Sequence, residues 1–210
     1  MAASEPSAGF EQFASVSAEV APGTRGKVLI VEIGAFPDDL KAEVERALKD
    51  ELQVEVEHLE AIALPKAAWY APRKRYRADV LLDVLDELHG GAPATTRVLG
   101  LTAVDISTTK EPFADWGIFG LGNMPGQAAV VSSYRLRRKA KDRAHVKFRV
   151  STTAVHEVGH TFGLPHCTEE RCAMQDAEGG ITNTDTGSGT LGASCRAQLD
   201  DAFPIVASPR

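Results

Sequence analysis

Between His156 and Met174 the chain reads HEVGHTFGLPHCTEERCAM, a stretch holding three histidines, a glutamate directly after the first of them, and two cysteines. Imidazole nitrogens and thiolate sulfurs are ordinary protein ligands of zinc. His156 and His160 are four residues apart. At about 100° per residue they fall within about 40° of each other on one flank of an α-helix, so two imidazoles one turn apart can bite one small ion. Glu157 sits one step around, too far to ligate easily but close enough to reach a water on that ion. This is the HExxH arrangement, in which the histidines bind zinc and the glutamate is the general base. Gly163 comes three residues after His160; glycine accepts positive φ, ends a helix and swings the chain back. Leu164 and Pro165 stiffen the return, and His166 arrives as a third nitrogen ligand from a different direction. Three protein ligands with one open position are the layout of a catalytic zinc, whose bound water titrates near pH 7 and whose proton Glu157 can take. His58, His89 and His145 are isolated in the sequence and are expected at the surface.

A core must hold that helix. Phe148, Val155 and Phe162 recur at seven, with Val158 beside them, which predicts a helix from about Phe148 with an apolar stripe facing inward. Upstream, KVLIVEIG (27–34) is a buried strand, and DDLKAEVERALKDEL places Leu40, Val44, Ala47, Leu48 and Leu52 at helical spacing. QVEVEHLEAI (53–62) alternates like a half-buried strand, and YRADVLLDVLDELHGG is a helix stopped by Gly90 and Gly91. TRVLGLTAVDIS (96–107) reads as one buried strand running out to Asp105, followed by the glycine-rich DWGIFGLGNMPGQ and the strand AAVVSSY (128–134). This order implies an α/β sandwich with helices against a mostly parallel sheet. GIFGLG (117–122) is expected to be an exposed edge to which an extended peptide can add as a further strand. The basic run RLRRKAKDRAHVKFR (135–149) reads as a solvated loop and helix start whose aliphatic stems cover apolar surface.

The chain has 210 residues, 43% of them hydrophobic, enough for one domain with an ordinary core. Its net charge of −6 argues against a general nucleic-acid binder. No apolar run approaches the ~20 residues that cross a bilayer, so no membrane association is expected. Residues 1–26, rich in Ala, Ser, Pro and Gly, are expected to be a flexible lead-in; they have no basic n-region and no apolar h-region, which predicts a cytoplasmic protein with reduced thiols. Cys167, Cys172 and Cys195 are odd in number and late in the chain, so metal or packing roles come before a disulfide framework.

The long histidine–cysteine motif resembles that of the archaemetzincins, a family of metzincin-type zinc metallopeptidases; HExxHxxGxxH is the metzincin pattern itself. The shared features are a cysteine directly after the third histidine, a second cysteine five on, and a methionine two beyond that. PRKRYRADVLLDVL, VLGLTAVDI and IFGLGNMPGQAAVVSSYRLR look like further family segments, and the similarity runs from Lys27 to Cys195. The resemblance implies a metzincin-like (zincin) α/β fold: a twisted, mixed five-stranded sheet with an antiparallel edge strand, packed against helices that include the zinc-binding active-site helix. It makes residues 27–210 a single catalytic domain, expected to be monomeric. It puts a catalytic zinc on His156, His160 and His166, a Met-turn at Met174, and a second zinc on four cysteines. Three of those are Cys167, Cys172 and Cys195, but the fourth falls on Gly192. A fourth ligand there would be a water or an acid, with Asp200 and Asp201 the candidates, and reduced packed thiols are the alternative.

The expected activity is zinc-dependent hydrolysis of peptide bonds in a peptide or protein substrate, with Glu157 assisting attack by the zinc-bound water. A zinc hydrolase of a non-peptide amide would keep the same residues. A catalytically silent zinc-binding interaction module is the other reading, and it would have no need of Glu157.

Overall fold

The computed structural model describes residues 19–124 and 126–207; most of the expected lead-in, residues 1–18, lies outside them. In chain order the elements are β1 (Lys27–Glu32), α1 (Asp38–Leu52), β2 (Glu55–His58), β3 (Trp69–Tyr70), β4 (Arg75–Arg77), α2 (Ala78–His89), β5 (Thr96–Thr102), β6 (Ile106–Lys110), β7 (Phe113–Ile118), β8 (Gly120–Gly122), β9 (Ala128–Ser132), α3 (Ser133–Leu136), α4 (Arg143–Thr161), α5 (Thr182–Thr186) and α6 (Ala193–Ala202).

The main sheet has the order β2-β1-β5-β9-β8. Its first four strands are parallel to one another, and β8 closes the edge antiparallel to β9. Both faces of a parallel sheet must be covered, which is why β1, β5 and β9 read as continuous apolar runs. Alternate residues divide between two cores. Val28, Ile30, Leu99, Leu101, Ala129 and Val131 face α1 and α4. Leu29, Val31, Val98, Ala128 and Val130 face α2, through its Leu81, Leu82 and Leu85. A smaller sheet, β3-β4-β6-β7, stands beside this one.

Several expectations change. TRVLGLTAVDIS is not one strand: β5 belongs to the main sheet and β6 to the smaller one. The chain breaks at Asp105, whose carboxylate takes Arg135 Nε at 2.6 Å and Nη2 at 3.1 Å. Hydrophobic run length could not show a turn made by a partner thirty residues away. Likewise only residues 55–58 of the 53–62 run form a strand, with a single further bridge from Ile62 to Ile33.

His89 is not at the surface. It is buried at the end of α2, where its Nε2–H donates to the Thr96 carbonyl at 3.1 Å, and burial holds its pKa below the ordinary value. The basic run is a largely solvated loop and helix start, as expected, but α4 starts at Arg143 on an Asp142 cap rather than near Phe148. Within it Arg149 is buried. Its Nε and Nη2 reach Asp185 at 2.6 and 2.7 Å, and its Nη1 donates to the carbonyls of Leu136 and Arg138 at 3.0 and 2.9 Å.

The packed chain begins before Lys27. Arg25 is fully buried between the C-terminal ends of α1 and α6, donating to the carbonyls of Leu52 at 2.8 Å, Leu199 at 3.2 Å and Phe203 at 2.7 Å. Its remaining nitrogen bonds Gln53 and Asp200, each at 2.7 Å. A cation at two helix C-termini satisfies carbonyls that have no partner of their own and complements both dipoles. Among the described residues no helix is long and apolar enough to cross a membrane.

Candidate metal centre

Helix α4 carries His156 and His160 on one flank, while its buried Val150, Ala154, Val155 and Val158 fix the helix in the core. The helix ends where glycine allows it. Gly163 has φ +83°, and the next residue turns back so that the Leu164 carbonyl accepts His160 Nδ1–H at 2.8 Å. His156 Nδ1–H donates to the Ala173 carbonyl at 2.8 Å. A carbonyl cannot donate, so both rings carry their proton on Nδ1 and present an Nε2 lone pair. Those two Nε2 atoms lie 3.1 Å apart with no proton between them. His166 joins them, its ring 5.3 Å from that of His156 and 4.9 Å from that of His160. Its Nδ1 faces Asp176 at 3.6 Å.

Converging lone pairs repel unless a cation lies among them. Zn–N bonds of about 2.0–2.1 Å in a tetrahedron put the nitrogens about 3.3–3.4 Å apart, close to the observed spacing. The three ligand nitrogens all lie within 4.8 Å of one another, so the donor set fits zinc. Burial holds His156 down at about 4 and also lowers His160, which keeps both in the neutral form that ligates. Nδ1 bonds of this kind set the tautomer and ring orientation of metal-binding histidines.

Glu157 lines the same cleft as these rings and lies against strand β8. It is buried, and burial pushes its carboxyl up to about 8 against the pull of the Gly122 N–H. The approach of strand and helix requires glycines. A Cβ on Gly120 would lie 2.6 Å from Glu157 Cγ, and one on Gly122 only 2.3 Å from the Glu157 carbonyl oxygen. The GxG of residues 120–122 was therefore a signal of close backbone approach that the sequence contains. The expected edge is split between two sheets: Gly117 and Ile118 end β7, the outer strand of the smaller sheet, and Gly120–Gly122 form β8, the edge of the main sheet.

Below the histidines lies Met174, fully buried, with its Sδ so near α4 that a Cβ on Gly159 would be 2.6 Å from it. The site opens into a cleft of about 410 Å³. Its walls are β8, the β6–β7 hairpin with Trp116, and the segment from Ala173 to Gly187. Sequence reasoning did not single out Asp176, which sits on the Nδ1 side of His166.

The cysteines also come together. Cys167, Cys172 and Cys195 have their sulfurs within 4.8 Å of one another, with Cys172 and Cys195 3.7 Å apart. Zn–S bonds of about 2.3 Å in a tetrahedron place sulfurs about 3.8 Å apart, so this set also fits zinc. Burial, and then the two neighbouring sulfurs, push the Cys195 thiol up. Backbone N–H groups are aimed at the sulfurs: Glu169 at Cys167 at 3.3 Å, and Gly192 and Met174 at Cys172 at 3.2 and 3.4 Å. The expected acid is not there. Asp200 is held by Arg25, and Asp201 is exposed on α6.

A helix-borne histidine pair, a third histidine beyond a glycine turn, a methionine beneath them and a mixed sheet with an antiparallel edge define a metzincin-type metallopeptidase. The profile of Peptidase family M54 matches residues 23–201, and the chain belongs to that family, the archaemetzincins. It is 31% identical over 153 residues to the archaemetzincin of Haloquadratum walsbyi, covering 69% of this chain and 83% of that one. It is also 31% identical over 184 residues to that of Pyrococcus abyssi, covering 83% and 95%. Among solved structures, the archaemetzincin of Methanopyrus kandleri superposes with a TM-score of 0.71 at 31% identity, over 84% of this chain and 94% of that one. A zinc-dependent peptidase from Methanocorpusculum labreanum gives 0.70 at 25% identity, over 82% and 99%.

Proposed function

We propose that the chain hydrolyses peptide bonds in the cleft beside β8, with a zinc ion held by His156, His160 and His166. When bound, zinc acts as a Lewis acid that polarises a carbonyl and lowers the pKa of a water. Glu157 is the general base: it takes the proton of the attacking water on its carboxylate and later passes that proton to the leaving amine. Burial raises the proton affinity of this carboxylate above that of one in bulk water, which makes it a stronger base. The carbonyls of Ala173 and Leu164 hold His156 and His160 in the ligating tautomer, and Met174 packs against the helix between them.

Strand β8 favours a peptide over a small amide. The Phe119 carbonyl and the Asn123 N–H are spent on β9, so in an antiparallel pair the backbone groups of Gly120 and Gly122 turn the other way, toward the cleft, where the Gly122 N–H also meets Glu157. An extended substrate would pair along that edge, which places a carbonyl beside the histidines. The observation that carries the reading is the convergence of three histidine rings and one buried glutamate on a single cleft bordered by a strand edge. Glu157→Gln is expected to keep its metal and lose peptide cleavage by about 10²–10⁴-fold. Cleavage at the wild-type rate by a metal-loaded Glu157→Gln protein would show that another group is the base.

A further inference from the structure

A closed structural zinc site takes four ligands, and the cysteine cluster offers three. Gly192 stands where the resemblance to the family places the fourth, and its missing side chain leaves a defined space. That space is filled. A Cβ on Gly192 would lie 2.4 Å from Glu169 Cδ and 2.5 and 2.6 Å from its two carboxylate oxygens. Glycine at 192 and the Glu169 carboxylate in this position are therefore coupled: any side chain at 192 would displace it.

Glu169 ties both halves of the cluster together. Its N–H donates to Cys167 Sγ at 3.3 Å, while its carboxylate accepts from Ala193 N at 3.0 Å and Ser194 N at 3.3 Å, at the start of the helix that carries Cys195. Between them Gly192 N donates to Cys172 Sγ at 3.2 Å. We infer that Glu169 replaces the missing thiolate, its carboxylate acting as the fourth, oxygen ligand of a Cys167–Cys172–Cys195–Glu169 zinc site. Asp and Glu oxygens are also zinc ligands, at about 2.0–2.2 Å. The charge brought by three thiolates and one carboxylate equals that of four thiolates. The Glu169 oxygens are not within 4.8 Å of all three sulfurs, so one oxygen must swing in to the metal, in trade for the longer Ser194 bond, while the other keeps the Ala193 amide. The site then fastens the 167–174 loop, which supplies the Ala173 carbonyl to His156, to α6.

The test uses the full chain, stripped of metal and titrated with ¹¹³Cd²⁺, whose resonance moves downfield with each thiolate bound. Wild type is expected to take two equivalents and give two resonances, the downfield one from the cysteine cluster and the upfield one from the histidines. Glu169→Gln keeps one acceptor oxygen, enough for the Ala193 amide, but is a poor ligand. It should weaken the downfield site by at least about 10–100-fold in chelator competition and leave the upfield site unchanged. Glu169→Ala combined with Gly192→Cys should restore tight binding with a resonance further downfield than wild type. A Glu169→Gln protein whose downfield resonance and affinity match wild type would reduce Glu169 to a helix cap and overturn the assignment. So would a wild type that binds only one equivalent, and because the histidine resonance is read separately, neither outcome bears on the peptidase reading.

Discussion

Replacing Gly120 by alanine tests whether the seat of Glu157 under β8 is what the reaction needs. The new methyl carbon would stand 2.6 Å from Glu157 Cγ, 2.8 Å from Oε1 and 2.9 Å from Cδ, against ordinary contacts that begin at 3.4 Å. The three nearest atoms all belong to the Glu157 side chain, so that side chain yields while the helix and strand stay in place. The carboxylate is pushed by about 1 Å, and a misplacement of that size costs about 10²-fold in rate. Gly122→Ala differs, because its methyl meets the Glu157 carbonyl oxygen at 2.3 Å, a backbone atom that cannot rotate away. Strand β8 must back off from α4, with an overpacking cost of about 1–3 kcal/mol. Peptide cleavage, thermal melts and metal content measured together separate the two. Gly120→Ala should melt within a few degrees of wild type, keep the metal on the histidines and lose about 10²-fold in kcat/KM. Gly122→Ala should lose both activity and Tm. A Gly120→Ala protein with full activity would refute the reasoning, since the base would then not depend on its place beneath the strand.

Arg149→Met should destabilise the fold by about 3–5 kcal/mol, read by denaturant unfolding, because it leaves the Asp185 carboxylate and the Leu136 and Arg138 carbonyls without their shared donor. The Asp185 pKa is held below its ordinary value by Arg149 first and His145 next. A depressed folded pKa gives stability that is complete above the unfolded carboxyl value of about 3.9 and is lost as pH falls through the folded value. Asp185→Asn should therefore lower Tm at pH 7 and flatten its fall in acid, which melts between pH 7 and pH 3 will show. Arg25→Ala should lower Tm by more than an exposed substitution does, because five bonds that join the ends of α1 and α6 go with it; a Tm equal to wild type would mean the two helix ends need no common donor.

The histidine triad was legible because helical spacing and a glycine stop are local, and the sequence shows both. The faces of β1, α1 and α2 were legible for the same reason, since periods of two and 3.6 encode burial directly. What escaped depends on partners distant in sequence. The break at Asp105 is made by Arg135, and the start of α4 by an Asp142 cap lying within a run dominated by its positive charge. His89 is a lone histidine by sequence, and the carbonyl of Thr96 that makes it a core residue lies across a turn. The occupant of the Gly192 space is the clearest case. Acids near in sequence to Cys195 were candidates for it, whereas Glu169 arrives from the opposite end of the loop, and Arg25 has already taken Asp200.

The central claim, that this cleft hydrolyses peptide bonds with Glu157 as the base, is met most directly by digesting a peptide library in H₂¹⁸O with zinc-loaded protein. The new termini are then read by mass spectrometry. Wild type is predicted to create cuts whose new carboxyl ends carry one ¹⁸O. Glu157→Gln, with the same zinc content on its histidines, is predicted to leave the library intact. An intact library with fully zinc-loaded wild type, or the same labelled cuts at the same rate from Glu157→Gln, would contradict it.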